Sequence, residues 1–94
     1  SRVTSTKAIY SDLGLTIYPN LIQKGAAVQI HSNASNLKPF NFSIYDLSGR
    51  VLKQEKWQLH EGDNLLPFNF QETGIYLIEI KTEEGIQIEK IAVQ

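Results

Sequence analysis

The stretch Phe42-Ser43-Ile44-Tyr45-Asp46-Leu47-Ser48-Gly49-Arg50-Val51 decides the fold. Phe42 and Ile44 alternate with Ser43 and Tyr45, the two-residue period of a strand with one face buried. Asp46 and Ser48 then offer side-chain oxygens to the amides of a turn, and Gly49 supplies the positive φ from which a new strand starts at Val51. Strand, tight turn and strand in so short a space describe a β-hairpin.

The same period recurs on both sides. Leu13, Leu15 and Ile17 share one parity before Tyr18-Pro19-Asn20 breaks the run, and Val28 with Ile30 marks a second strand. Phe40 extends the third. Val51, Trp57 and Leu59 share a parity in a fourth, Leu65 to Phe70 makes a short fifth, and Tyr76, Ile78 and Ile80 a sixth. Glycine turns at Gln71-Glu72-Thr73-Gly74 and Thr82-Glu83-Glu84-Gly85 each precede a strand, and Gly49 and Gly85 are expected at positive φ. In the last strand Ile86 and Ile88 oppose Ile91 and Val93 in parity, which predicts a β-bulge near Glu89 and Lys90. No long window carries a helical period. The reading is all-β: an immunoglobulin-like antiparallel β-sandwich of about seven strands. Shared parity predicts burial of Ile17, Val28, Ile30, Phe42, Ile44 and Val51. Trp57, Tyr76, Ile78, Ile80 and Ile88 complete the expected core.

Leu, Ile, Val and Phe supply 29 of the 94 residues, enough for one modest core and no second domain. Nine basic against ten acidic residues give a net charge of −1, which argues against nucleic acid as a partner. The absence of cysteine removes disulfides, thiol catalysis and thiolate metal sites. The longest purely apolar run is Ile75-Tyr76-Leu77-Ile78, so no membrane span is expected. Ser1 to Asp12 mixes small and charged residues without the apolar middle of a signal peptide. It reads as a linker, and export would have to be started by a segment outside these residues.

Catalytic chemistry finds little support. The two histidines, His31 and His60, stand far apart, no G-x-S-x-G elbow is present, and the glycines are scattered singly. Neighbouring Glu83 and Glu84 would point apart in a turn. No catalytic residue, metal site or cofactor is expected. Asn33-Ala34-Ser35 and Asn41-Phe42-Ser43 match a glycosylation sequon that arises often by chance. Among the aromatics Trp57, Tyr10, Tyr18, Tyr45 and Tyr76, a sugar-binding platform competes with core packing. Core is favoured for Trp57 and Tyr76, and Tyr45 is the candidate for exposure.

Taken in order, several motifs resemble one family. These are Leu15-Thr16-Ile17-Tyr18-Pro19-Asn20, the Phe42–Val51 hairpin with its Asp46-x-x-Gly49-Arg50 turn, and Thr73-Gly74-Ile75-Tyr76-Leu77-Ile78-Glu79-Ile80. Gly85 followed by Lys90-Ile91-Ala92-Val93 completes the set. The chain resembles the type A C-terminal sorting domain of the Por, or type IX, secretion system of Bacteroidetes over residues 13–94. Leu21 stands where that family has a second proline.

The resemblance implies residues 1–14 as linker and cleavage zone and residues 15–94 as the sorting domain. It implies a signal that directs a periplasmic cargo through the outer-membrane translocon, with the cargo fused on the amino side. The implied partners are the translocon and its shuttle proteins, and a sortase-like cysteine peptidase that removes the tag. The cargo is then released or attached to the cell surface. Recognition candidates are Lys90, Ile91, Val93, Gly85, Asp46, Gly49 and Arg50, with Pro19, Asn20 and Gly74 as signature turn residues. The alternative is an immunoglobulin-like accessory module of a secreted hydrolase, binding carbohydrate or spacing domains. A donor-strand subunit is disfavoured because the strand count looks complete.

Overall fold

The computed structural model describes residues 14–33, 39–83 and 85–94. Among these residues eight strands form in chain order: β1 (Leu15–Tyr18), β2 (Leu21–Ile22), β3 (Gln29–Ser32), β4 (Phe40–Asp46), β5 (Val51–Trp57), β6 (Gly62–Leu65), β7 (Gly74–Thr82) and β8 (Gly85–Val93). They make a three-stranded sheet β1-β3-β6 and a five-stranded sheet β2-β8-β7-β4-β5. No helix occurs among the described residues. The expected all-β sandwich is present, as two sheets with the core between them.

The strand count exceeds seven because the first segment divides. After the cis Tyr18-Pro19 peptide the chain leaves β1, which pairs antiparallel with β3, and enters β2, which pairs parallel with β8. Among the described residues this is the one parallel pair, and all the others are antiparallel. The fifth strand also shifts: pairing covers Gly62–Leu65, and Leu66 and Phe70 are buried beyond it from irregular backbone.

The core lies between the sheets. Phe40, Phe42 and Ile44 from β4, Tyr76, Ile78 and Ile80 from β7, and Ile91 and Val93 from β8 face Leu15, Ile17, Val28 and Ile30. Full burial of one such side chain is worth roughly 1.5–3 kcal/mol, so these residues hold the layers together. Trp57 is half-buried, with its ring centroid 5.5 Å from that of Phe42 and 5.9 Å from that of Phe40.

Two expected burials fail, and one misplaced irregularity explains both. β7 and β8 pair in unbroken register from Gly74↔Val93 to Thr82↔Gly85, so no bulge occurs at Glu89 and Lys90. Cross-strand partners share a face, so Gln87 and Glu89 share the inner side with Ile80 and Ile78, and Ile88 turns outward, 37% exposed. The register shift lies in the β4–β5 pair, where Ile44↔Lys53 is followed by Tyr45↔Val51. Leu52 is the extra residue. It packs on the core, and Val51 is carried to the outer face at 48% exposure.

Candidate recognition surface

The Asp46–Arg50 turn is built from its own side chains. Asp46 Oδ1 accepts from the Ser48 hydroxyl at 2.6 Å and from the amides of Ser48 and Arg50, each at 3.0 Å. Arg50 Nε donates to Asp46 Oδ2 at 3.0 Å. The Gly49 amide closes the turn on the Asp46 carbonyl at 3.0 Å, with φ of +89° at Gly49. The Ser48 hydroxyl leads in holding the Asp46 carboxyl below its ordinary value, helped by the Arg50 amide and guanidinium against the opposing effect of burial. The Asp46 carboxylate is engaged within the turn, whereas the Arg50 side chain is exposed.

A second turn packs beside it. The Tyr76 hydroxyl donates to the Glu72 carbonyl at 2.7 Å, and its ring stands 5.1 Å from that of Phe70, which stands 4.8 Å from that of Phe68. This is a tyrosine corner, and it gives the Gly74-x-Tyr76 motif its reason. Gly74 starts the strand at φ +148° and is the first residue of the β7 ladder, opposite Val93. A groove of about 570 Å³ runs between the two turns, lined by Leu47, Arg50, Leu52, Phe68, Glu72 and Gly74 among others.

Register brings most of the expected site residues to one end. Asp46 pairs with Tyr76 and Gly74 with Val93, so the Asp46 turn, Gly74 and the end of β8 lie together. Asn20 joins them, since its carbonyl accepts from the Ala92 amide at 2.8 Å, and Pro19 and Asn20 are exposed beside it. Ile91 and Val93 contribute buried side chains to this end. Lys90 is exposed on the outer face, across from Leu77. Gly85, at φ +151°, lies at the opposite end of β8, roughly 25–30 Å away at the usual rise of a strand.

The secretion system C-terminal sorting domain family matches residues 16–94, nearly the whole of the paired structure. The chain belongs to that family. No curated protein matches it. Among solved structures, it is similar to the CARDB domain of the PF1109 protein in complex with di-metal ions, from Pyrococcus furiosus. That match has a TM-score of 0.46 and 16% identity, and covers 94% of this chain and 97% of the other. The family is one of secretion signals and not of catalysts, so this sorting domain is a C-terminal signal for type IX secretion, directing export toward the cell surface or medium.

Two polar clusters of the sorting domain escaped the sequence reading. Asp63 Oδ1 accepts from the Tyr18 hydroxyl at 2.7 Å and lies 2.9 Å from His31 Nδ1, while His31 Nε2 stands 3.2 Å from Asn33 Oδ1. The Asp63 hydrogen bond is the main cause of a raised His31 pKa. The Tyr18 and His31 bonds hold Asp63 below its ordinary value. Buried Asn64 donates to the carbonyls of Ile30, His60 and Gly62 and accepts from the His60 amide, tying β6 to β3. No cluster of three or more metal-ligating groups occurs among the described residues. Of the candidate platform aromatics, Tyr76 is buried, Trp57 packs on the core, and Tyr45 is half-buried beside Glu79 at 3.4 Å. Tyr10, the 1–13 part of the expected cleavage zone, Glu84 and most of the Asn33-Ala34-Ser35 sequon lie outside the described residues.

Proposed function

We propose that this domain is a folded address tag, read at the end that carries the Asp46 turn, Gly74 and the close of β8. The supporting observation is the gathering there of motifs spread over more than seventy residues, from Pro19 to Val93. The tag's cargo, fused on the amino side, reaches the periplasm first. Shuttle proteins and the outer-membrane translocon engage the folded tag and pass the cargo outward. A sortase-like cysteine peptidase then cuts within residues 1–14, and the cargo is released or joined to the surface. The tag is the peptidase's substrate and performs no chemistry itself.

Two kinds of contribution separate among the candidate residues. Asp46, Gly49, Gly74, Ile91 and Val93 shape the recognised end, through turn geometry or core packing. Arg50 and Lys90 offer exposed cationic heads to a partner. The test is a periplasmic reporter fused to residues 1–94 in a host with this secretion system. Surface appearance of the wild-type fusion, with loss of export for Lys90→Ala at unchanged melting temperature, is the expected result. A wild-type fusion retained in the periplasm would refute the sorting role, and full export of Lys90→Ala would confine that lysine to solvation.

A further inference from the structure

The edge of β8 is covered over only part of its length. The amides of Ala92 and Gln94 donate to Asn20 and Ile22 at 2.8 and 2.9 Å, so the even-numbered residues of this strand aim their backbone groups at the β2 side. Because the β7–β8 register is unbroken, Ile86, Ile88 and Lys90 aim theirs the same way. Pairing with β2 reaches only Ala92 and Val93. The chain before it has crossed to the other sheet as β1. Among the described residues a row of backbone donors and acceptors is therefore left open beside Ile86, Ile88 and Lys90.

The two edges of the five-stranded sheet are guarded differently. β5 presents Lys53, Glu55 and Lys56, the charges that discourage edge pairing. The open run of β8 is Gly85-Ile86-Gln87-Ile88, without charge until Glu89. Beneath it Gln87 Nε2 bridges the gap to the Leu15 carbonyl at 3.0 Å, while Gln87 Oε1 is buried with no hydrogen-bond partner among the described residues. A buried acceptor without a donor is uncommon in a finished structure. Lys90, exposed above the same edge, forms no ion pair among the described residues.

We propose that the uncovered half of β8 receives an extended strand from a protein of the secretion machinery, which adds to the sheet in line with β2. Main-chain hydrogen bonds to Ile86, Ile88 and Lys90 supply the register, and side chains alternate between the faces. The fitting segment has an apolar residue beside Ile88, a carboxylate beside Lys90 and an inward donor that satisfies Gln87 Oε1. Such recognition reads backbone more than side chains, so one receptor can accept tags of differing sequence. The proposal rests on the sorting role above and assigns a binding mode to it.

Proline at position 88 is the discriminating change. The Ile88 amide faces the open edge, so Ile88→Pro removes a donor to the incoming strand and none from the β7 ladder. The full cargo–tag chain is expressed as wild type, Ile88→Pro and Ile88→Ala in a host with the secretion system. Surface reporter is measured beside the melting temperature of each purified chain. The expected result is a fall of about tenfold or more for Ile88→Pro, the scale of one or two lost ladder hydrogen bonds, and a clearly smaller fall for Ile88→Ala, which keeps the amide donor and loses only the side-chain contact. Normal export of a folded Ile88→Pro chain overturns the edge reading and leaves the sorting role standing, whereas failure of the wild type overturns the sorting role itself. Should Ile88→Pro unfold, amide exchange of the wild-type chain with detergent-solubilised outer membranes of that host decides. Protection gained at Ile86, Ile88 and Lys90 on capture supports the edge, and capture without it overturns the edge.

Discussion

The Tyr76 hydroxyl donates to the Glu72 carbonyl four residues back, at 2.7 Å, and this bond fixes the corner through which the chain enters β7. Tyr76→Phe keeps the ring against Phe70 and deletes only the donor. Unfolding in urea should show a loss of about 1 kcal/mol, the usual net value of one neutral hydrogen bond. An unchanged midpoint would show that the ring alone holds the corner.

At Gly49 the backbone φ is +89°, and a Cβ placed there would meet nothing within 4 Å. The cost of Gly49→Ala is therefore conformational and not steric. We expect about 1–2 kcal/mol, read as a lowered melting temperature.

Ile78 and Ile88 test the two faces of the sheet. Ile78 is fully buried, so Ile78→Ala should cost about 2–5 kcal/mol. Ile88 faces outward, and Ile88→Ala should change stability by no more than about 0.5 kcal/mol. Equal losses at both positions would mean that the register assigned to β8 is wrong.

Acid should act through Asp46. Its carboxyl, held below the ordinary value first by the Ser48 hydroxyl, binds a proton less readily folded than unfolded. Its stabilisation is present above an unfolded pKa of about 3.9 and is lost as pH falls through the lower folded value. The gap in melting temperature between wild type and Asp46→Asn should therefore be open near neutrality and close below about pH 4. A gap constant down to strong acid would exclude the charge as its source.

His31 should respond in the opposite direction. Its pKa is raised, chiefly by the hydrogen bond to Asp63, so the stabilisation is full below an unfolded value of about 6.5 and fades as pH rises through the folded one. An NMR titration of Asp63→Asn should find the His31 midpoint lowered from its wild-type position. No movement would place the cause elsewhere.

Sequence and structure agree wherever the signal is local. Asp46, Ser48, Gly49 and Arg50 contact one another within five residues, so their turn was readable from composition alone. Alternation likewise located the inner faces of β4 and β7. The misreading of β8 has a physical cause: a parity change fits either a bulge or a strand with apolar residues on both faces, and only the β7 register separates them. The actual bulge left no such mark, because Val51 and Leu52 are both apolar and either could have faced inward. The Tyr18–Asp63–His31 cluster depends on pairing between residues 32 and 45 positions apart, which no local pattern encodes.

The parallel pairing of β2 with β8 also governs how the domain bears tension. The amino side of the chain enters near Gln87, and the carboxyl end leaves beyond Val93 at the far end of the same strand. A pull on the amino side while β8 is held therefore drives β2 and β8 lengthwise in opposite directions. The bonds from Ala92 to Asn20, from Gln94 to Ile22 and from Lys24 to Gln94 are loaded together, as in a lap joint, instead of opening one after another like a zip. Forced opening is set by an unfolding rate and not by equilibrium stability, so this short clamp can keep the tag folded under a steady pull even where the free energy of folding is modest.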